Sequence, residues 1–352
     1  MSPAPRDVWT TVWDASAEAT VFHRPEWLDA CCEAGGLENA SRLYETVDGE
    51  RIVVPLVRSR ASRPAWRTAW SMPVGFGFGG AFGTRPVVPE DVAMVLDDLL
   101  TGSARLVLNP GPVTGAAWAA APAQARVRHD VHIVDLREGY DALWSSDLSS
   151  DTRNKVRKAQ KRGVEVQWGL GTELMQVHWE IFLRWTTQRA RESGIPVPLA
   201  IALARRRESL VGYETIARHL GERCQVVVAR VGGQPAASVI GLLDGVHAHY
   251  WRAASDQAVV RRRYANHLLV ARILERASAR GCQYVHMGES GGKRSLIQFK
   301  EHFGAKPVSY EELRFGPVTV TKTVRAGEHL LRRAEILAAR GAARLRRISP
   351  GS

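Results

Sequence analysis

"LSSDTRNKVRKAQKRGVEV", residues 148–166, decides how this chain is read. Six cations, Arg153, Lys155, Arg157, Lys158, Lys161 and Arg162, fall between Thr152 and Gly163 with no acid among them. On a helix, positions 153, 157 and 161 share one face at i, i+4 spacing. Gly163 stops that helix, and the chain continues as a strand over residues 164 to 168. A basic helix feeding a strand opens an α/β unit, so a boundary between two units falls near residue 145. The ridge of charge is either a solvated helix face or a surface for phosphates or a nucleic-acid backbone.

Helices and strands alternate on both sides. Upstream, "FHRPEWLDACCEAG" (22–35) reads as a cap region and short helix ended by Gly35-Gly36, and "RLYETVDGERIVVPLVRS" (42–59) as two strands around an Asp48-Gly49 turn. The glycine- and aromatic-rich loop "SMPVGFGFGGAFG" (71–83) follows, then a helix at "PEDVAMVLDDLL" (89–100), and strands at "ARLVLNP" (104–110) and "VHIVD" (131–135). Downstream come a helix through residues 173–194, a proline-bearing loop and a helix near 202–219. The antiparallel run "CQVVVARVGGQPAASVIGLLDGVHAHYWRAAS" (224–255) turns at Gly232-Gly233 and Asp244-Gly245. A helix from 265, the strand "CQYVHMG" (282–288), a short helix in "SLIQFKEHFGAKP" (295–307) and the strand "VSYEELRF" (308–315) complete the pattern. This predicts an α/β protein with mixed sheets covered by helices.

At 352 residues, 45% hydrophobic and 24% charged, the chain has material for two cores. With 48 Lys+Arg against 36 Asp+Glu the formal charge is +12 and the pI about 10, which favours anionic partners. The four cysteines, Cys31, Cys32, Cys224 and Cys282, form no CxxC and have no histidine at metal spacing, so neither a disulfide framework nor a metal site is expected. No stretch approaches the roughly 18 to 20 apolar residues of a membrane span, and "MSPAPRDVWT" lacks a basic region followed by an apolar core. A cytoplasmic protein is expected.

"FHRPEW", "VVPLV", "SMPVGFGFGGAFG", "LSSDTRNKVRKAQKRGVEV" and "FKEHFGAKP", in this order and at these separations, resemble the FemAB-like branch of the GNAT acyltransferase superfamily, including its BioF2-like and CelD-like members. The resemblance covers residues 20 to 316. It implies tandem GNAT-like domains, 1–145 on the acceptor side and 146–317 carrying the donor site, followed by a C-terminal unit over 318–352. It further implies transfer of an acyl group, acetyl by default, from acyl-CoA to an amino group on a cell-envelope sugar or peptide precursor. Two alternatives stand beside this: an aminoacyltransferase that uses aminoacyl-tRNA to build a peptidoglycan bridge, and a non-catalytic scaffold or nucleic-acid-binding protein. Both donors are polyanions, in keeping with the charge.

The resemblance places the donor pyrophosphate at the N-terminus of the helix after the splayed strands, where amides and the helix dipole meet an anion. Here that stretch is "DQAVVRRRYANHLL" (256–269), which lacks the superfamily's glycine-bearing loop; Arg261, Arg262, Arg263 and Asn266, with Phe299 nearby, are the donor-binding candidates. For proton transfer the candidates are His249, His286 and Glu289, the last because it follows the strand where the cleft should open, and Tyr264, placed to protonate a departing thiolate. "GVHAHYWRAA" (245–254) reads as a strand with His247, His249 and Trp251 on one face and Tyr250 and Arg252 on the other. Lys300 matches the family's F-K-x-x-F/W-G position, which in aminoacyl-transferring relatives faces the donor; this predicts that Lys300→Ala abolishes transfer with little loss of stability. Residues 70 and 75–83 are expected to form an inter-domain wall.

From Val324 to Ile348, Leu330, Leu337, Leu345 and Ile348 share one helical face and Arg332, Arg333, Arg340, Arg344 and Arg347 another. This is a basic amphipathic helix, packed on the protein or docked peripherally on the inner face of a membrane.

Overall fold

The computed structural model describes residues 1–60, 68–73, 75–102, 105–260 and 263–316. The C-terminal helix expected over 318–352 and the candidates Arg261 and Arg262 lie outside the described residues.

The first half runs α1 (Arg6–Ala15), α2 (Pro25–Gly35), β1 (Glu38–Asn39), β2 (Arg42–Glu45), β3 (Arg51–Val54), β4 (Val57–Arg58), β5 (Thr68–Trp70), β6 (Phe82–Gly83), α3 (Pro89–Gly102), β7 (Arg105–Leu108), α4 (Gly111–Thr114) and β8 (Ala125–Asp135). The second runs α5 (Tyr140–Ala142), α6 (Ser150–Lys161), β9 (Val164–Leu170), α7 (Gly171–Ser193), α8 (Val197–Arg207), α9 (Leu210–Leu220), β10 (Cys224–Val231), β11 (Gln234–Leu242), β12 (His247–Ser255), α10 (Gln257–Val260), α11 (Ala265–Ala279), β13 (Tyr284–Glu289), α12 (Arg294–Glu301) and β14 (Lys306–Phe315).

The hairpin forms as its turn dictates: β2 and β3 pair from Arg42↔Val54 to Glu45↔Arg51, with Gly49 in the left-handed region at φ 80°. α6 begins where the Ser149 hydroxyl accepts from the Thr152 amide, a side-chain cap that satisfies one of the free amides of the first turn. The helix expected near 202–219 is two helices. Val197 starts α8 with a proline in its first turn, where the missing N–H costs nothing, and Ser209 then caps α9 by accepting from Gly212.

The two sheets expected are joined. Among the described residues, eleven strands form one sheet in the order β1-β4-β5-β7-β14-β8-β13-β12-β11-β10-β9, parallel at β5/β7 and β12/β13 and antiparallel elsewhere. β8, the last strand of the first half, lies between β13 and β14 of the second, and β14 pairs with β7 of the first. Exchanging final strands gives each half an internal partner for an edge that would otherwise template aggregation. The largest aromatic core also crosses the halves: Trp27, Leu28 and Cys31 of α2 pack with Tyr213, Ile216 and Leu220 of α9.

One buried ion pair locks the same interface. Arg24 donates to Asp244 through Nε and, at 3.1 Å, through Nη2, while its guanidinium stands 3.5 Å from the Trp13 ring centroid. Removing one partner of such a pair strands the other charge, at a cost of about 3–5 kcal/mol. Arg223, 3.4 Å from the Asp244 carboxylate, softens the loss. Arg24→Ala is therefore expected to destabilise the fold by about 3 kcal/mol, read as a clearly lowered midpoint in chemical denaturation. A change of a few tenths would show that apolar packing and the exchanged strands hold the halves without this pair.

Candidate active site

β12 and β13 run side by side for three residue pairs, His247↔Tyr284, Ala248↔Val285 and His249↔His286, and then part. β12 continues to Ser255 paired with β11, and β13 continues to Glu289 paired with β8. From Tyr250 onward the inner edge of β12 has no strand partner among the described residues, which leaves backbone donors and acceptors facing the opening. α11 starts at the foot of this opening.

Each strand carries a bulge where they separate. On β12 the register slips between Arg252↔Ile240 and Tyr250↔Gly241, leaving Trp251 as the extra residue. The strict alternation expected for this strand therefore fails. Arg252 turns to the side of Trp251, lies 4.5 Å over its ring, donates to the Gly75 carbonyl at 2.6 Å and stands 3.6 Å from Glu208. On β13 the slip falls between His286↔Ile133 and Glu289↔Val131, at Gly288, whose φ of 68° a glycine adopts without strain. A regular strand would send Glu289 to the face occupied by α11 and α12. The bulge sends it to the opposite face, where its carboxylate meets His129 Nδ1 at 2.9 Å.

Lys300 explains how that bulge is held. Its side chain approaches from the α12 side, only 3% exposed, and its ammonium donates to the carbonyls of Gly288 at 2.6 Å and Glu289 at 2.9 Å. Burial lowers its pKa to about 8, against the pull of Glu289. Lys300 is thus a buried clamp on backbone oxygens and does not present its charge to an open cleft as the motif implied.

Glu289 is the open group of the three, with about half its side chain exposed. The hydrogen bond from His129 holds its carboxyl below the usual range, and the carboxylate raises the His129 imidazole. His129 stacks on Tyr310, 5.2 Å between centroids. His129 escaped sequence reasoning because the strand was read only from Val131, although Ala125, Val127, Val131 and Ile133 alternate with Arg126, Arg128, Asp130 and His132. Only the pairing of β8 with β14, Tyr310↔His129, places it at the mouth.

The histidines of β12 and β13 form a wall. His249 lies 4.3 Å from Phe22 and 4.6 Å from His286, ring to ring, and His247 Nδ1 is 3.1 Å from His286 Nε2. Desolvation pushes His249 and His286 well below the ordinary imidazole value and His247 to about 4, so all three are neutral. His249 was a candidate base; buried among aromatic rings, it serves packing. The glycine loop packs against this wall: Phe78 lies within 5.6 Å of the His249 and His286 rings, and the loop backbone is fixed by Trp27 on Phe76 O, Asn109 on Gly77 O and His23 at Gly79 O. A Cβ at Gly77 would come within 2.6 Å of Phe22, so the close approach requires glycine there.

The donor-side candidates lie at the start of α11. Tyr264, at the helix N-cap, is left-handed (φ 57°), and its ring stands 5.2 Å from the Arg162 guanidinium. Arg263 donates to the Arg162 carbonyl at 3.2 Å, which brings the end of α6 to the same place. Asn266 bonds the Ser255 hydroxyl, so it braces β12, and Phe299 packs at 5.1 Å on His267 and 5.2 Å on Phe303. Of the ridge on α6, Arg153 is spent on the carbonyls of Trp144, Ser145 and Leu148, whereas Arg157, Lys158, Lys161 and Arg162 are exposed. Among the described residues no group of histidines, cysteines and acids could hold a metal ion, and no helix is long and apolar enough to cross a membrane.

Residues 146–300 match the family described as Acetyltransferase (GNAT) domain. No curated protein sequence matches the chain. Among solved structures, FemX superposes with a TM-score of 0.66 at 11% identity, covering 88% of this chain and 96% of that one. A conserved protein of unknown function from Bacteroides thetaiotaomicron gives 0.52 at 11% identity, covering 89% and 99%. The C-terminal domain of an Agrobacterium fabrum protein assigned as a lysylphosphatidylglycerol synthetase gives 0.51 at 10% identity, covering 87% and 96%. The chain shares its fold with FemX, and residues 146–300 within it carry the GNAT acetyltransferase-domain match.

Proposed function

We propose that this chain, a GNAT acetyltransferase domain set within a FemAB-like fold, transfers an acyl group from acyl-CoA to an amino group. The observation that carries this reading is the parting of β12 from β13 after three pairs, which leaves one strand edge open above the start of a helix. An extended pantetheine arm fits that edge as an added strand would, hydrogen-bonding to backbone groups of residues 250–255. Its phosphates then meet the first turn of α11 and the cations Arg162 and Arg263. Tyr264 belongs to this phosphate end.

The chemistry follows from the donor's position. A backbone N–H of the open edge polarises the thioester carbonyl. The amine attacks, the N–C bond forms, the adduct gives its proton to Glu289, and the C–S bond breaks with its electron pair leaving on sulfur. An acceptor amino group on a cell-envelope sugar or peptide precursor suits a cleft that is open on the Glu289 side.

A second reading keeps the site and exchanges the donor. The exposed row Arg157, Lys158, Lys161 and Arg162 extends the cationic surface beyond what one coenzyme covers, and aminoacyl-tRNA would use it. Thermal-shift titrations with acetyl-CoA and with a non-hydrolysable aminoacyl-tRNA analogue separate the two: saturable stabilisation marks the donor. For acetyl-CoA, Arg162→Glu with Arg263→Glu should raise Kd at least about tenfold, or 1.4 kcal/mol. Stabilisation by neither ligand sinks both readings and favours a non-catalytic scaffold.

A further inference from the structure

We infer that His129 is a positioning residue for acyl transfer, holding the Glu289 carboxylate, from the face opposite Lys300, toward the opening between β12 and β13. The inference rests on the acyltransferase reading above and adds to it which groups set the state of the proton acceptor. Its ground is geometric. Glu289 reaches the cleft face only through the Gly288 bulge, Lys300 fixes the two bulge carbonyls from below, and His129 Nδ1 fixes the carboxylate from the cleft side. His129 is itself held: it is paired across the ladder with Tyr310 and stacked on that ring. Among the described residues its buried Nε2 has no hydrogen-bond partner, and the hydrogen bond the imidazole makes there is the one to Glu289.

The groups facing this pair come from every neighbouring element. Glu312 and Arg314 of β14, themselves paired at 2.6 Å, act on His129 with opposite signs. Asp130 of β8 opposes ionisation of Glu289, and Lys300 of α12 favours it. The net effect on His129 is upward, through the Glu289 hydrogen bond first. Between the midpoint of the Glu289 carboxyl and the raised one of His129 the pair is imidazolium and carboxylate, and the positive ring draws on the carboxylate's electrons. As pH rises through the raised His129 value the ring becomes neutral, Nδ1–H still donates, and the carboxylate becomes a better proton acceptor for the ammonium of the tetrahedral adduct.

The test combines a pH profile with a titration that does not depend on turnover. Wild-type kcat/KM should rise with pH through a midpoint above 6.5, and in His129→Gln that limb should move down by more than one pH unit, toward the carboxylate range. At pH 7.5 the same variant should lose about tenfold in kcat with KM for the donor unchanged. In parallel, the NMR titration of the His129 ring in the full chain should have a midpoint above 6.5 that falls in Glu289→Gln. An unmoved acidic limb in a folded His129→Gln, or a ring midpoint insensitive to Glu289→Gln, overturns the inference. If the donor binds and amines are acylated while either of those results holds, the positioning role fails and the acyltransferase reading stands.

Discussion

Glu289→Gln is expected to lower kcat by about 10²–10⁴, the usual worth of a placed general base, while leaving donor binding and the folded state intact. The side chain is half exposed and, among the described residues, its hydrogen-bond partner is the His129 ring, to which a glutamine amide still presents an oxygen. The buried Lys300 ammonium loses the pull of this charge but keeps both backbone carbonyls as partners. What disappears is the capacity to take the proton of the amine adduct, and that loss appears in kcat and not in the donor KM. Normal turnover in this variant would move proton acceptance to solvent or to the acceptor itself.

Lys300→Ala should lose both activity and stability, in contrast to the expectation from the motif alone. The truncation removes a buried stem and leaves the Gly288 and Glu289 carbonyls without donors. Each unsatisfied group costs about 1–3 kcal/mol, offset in part because a desolvated ammonium also disappears. A net loss of about 2–4 kcal/mol is expected. Lys300→Met separates the two roles. It restores the apolar volume, so its stability should exceed that of the alanine variant, yet it cannot clamp the bulge, and kcat should stay as low as in Glu289→Gln. A methionine variant with full activity would reduce Lys300 to a packing residue.

Lys300 also shows where sequence reasoning stops. The motif picked out the right residue and the right neighbourhood, but whether a lysine faces ligand or backbone is decided by the register of a strand eleven residues away. The α6 helix, the β2–β3 hairpin and the β10–β12 meander were legible because caps, glycine turns and apolar runs are local signals. The exchange of β8 and β14 was not, since strand order depends on pairings between residues about 180 apart. Bulges are equally silent in sequence: the alternation in "GVHAHYWRAA" predicted opposite faces for Trp251 and Arg252, and one inserted residue puts them together. His249 drew attention as a histidine in a strand near the cleft, and only its burial against Phe22 and His286 assigns it to packing. His129 lies in a strand whose alternation from Ala125 to Ile133 was legible, but its meeting with Glu289 was reachable only through tertiary pairing.

The central claim, that the donor occupies the gap between β12 and β13, can be read at the backbone. Hydrogen exchange of the full chain with and without saturating acetyl-CoA should show new protection in peptides spanning residues 250–255 and the first turn of α11, residues 265–268, with β10 unchanged. Saturable binding that leaves those two segments exchanging at their free rates, while protecting another region, would contradict it.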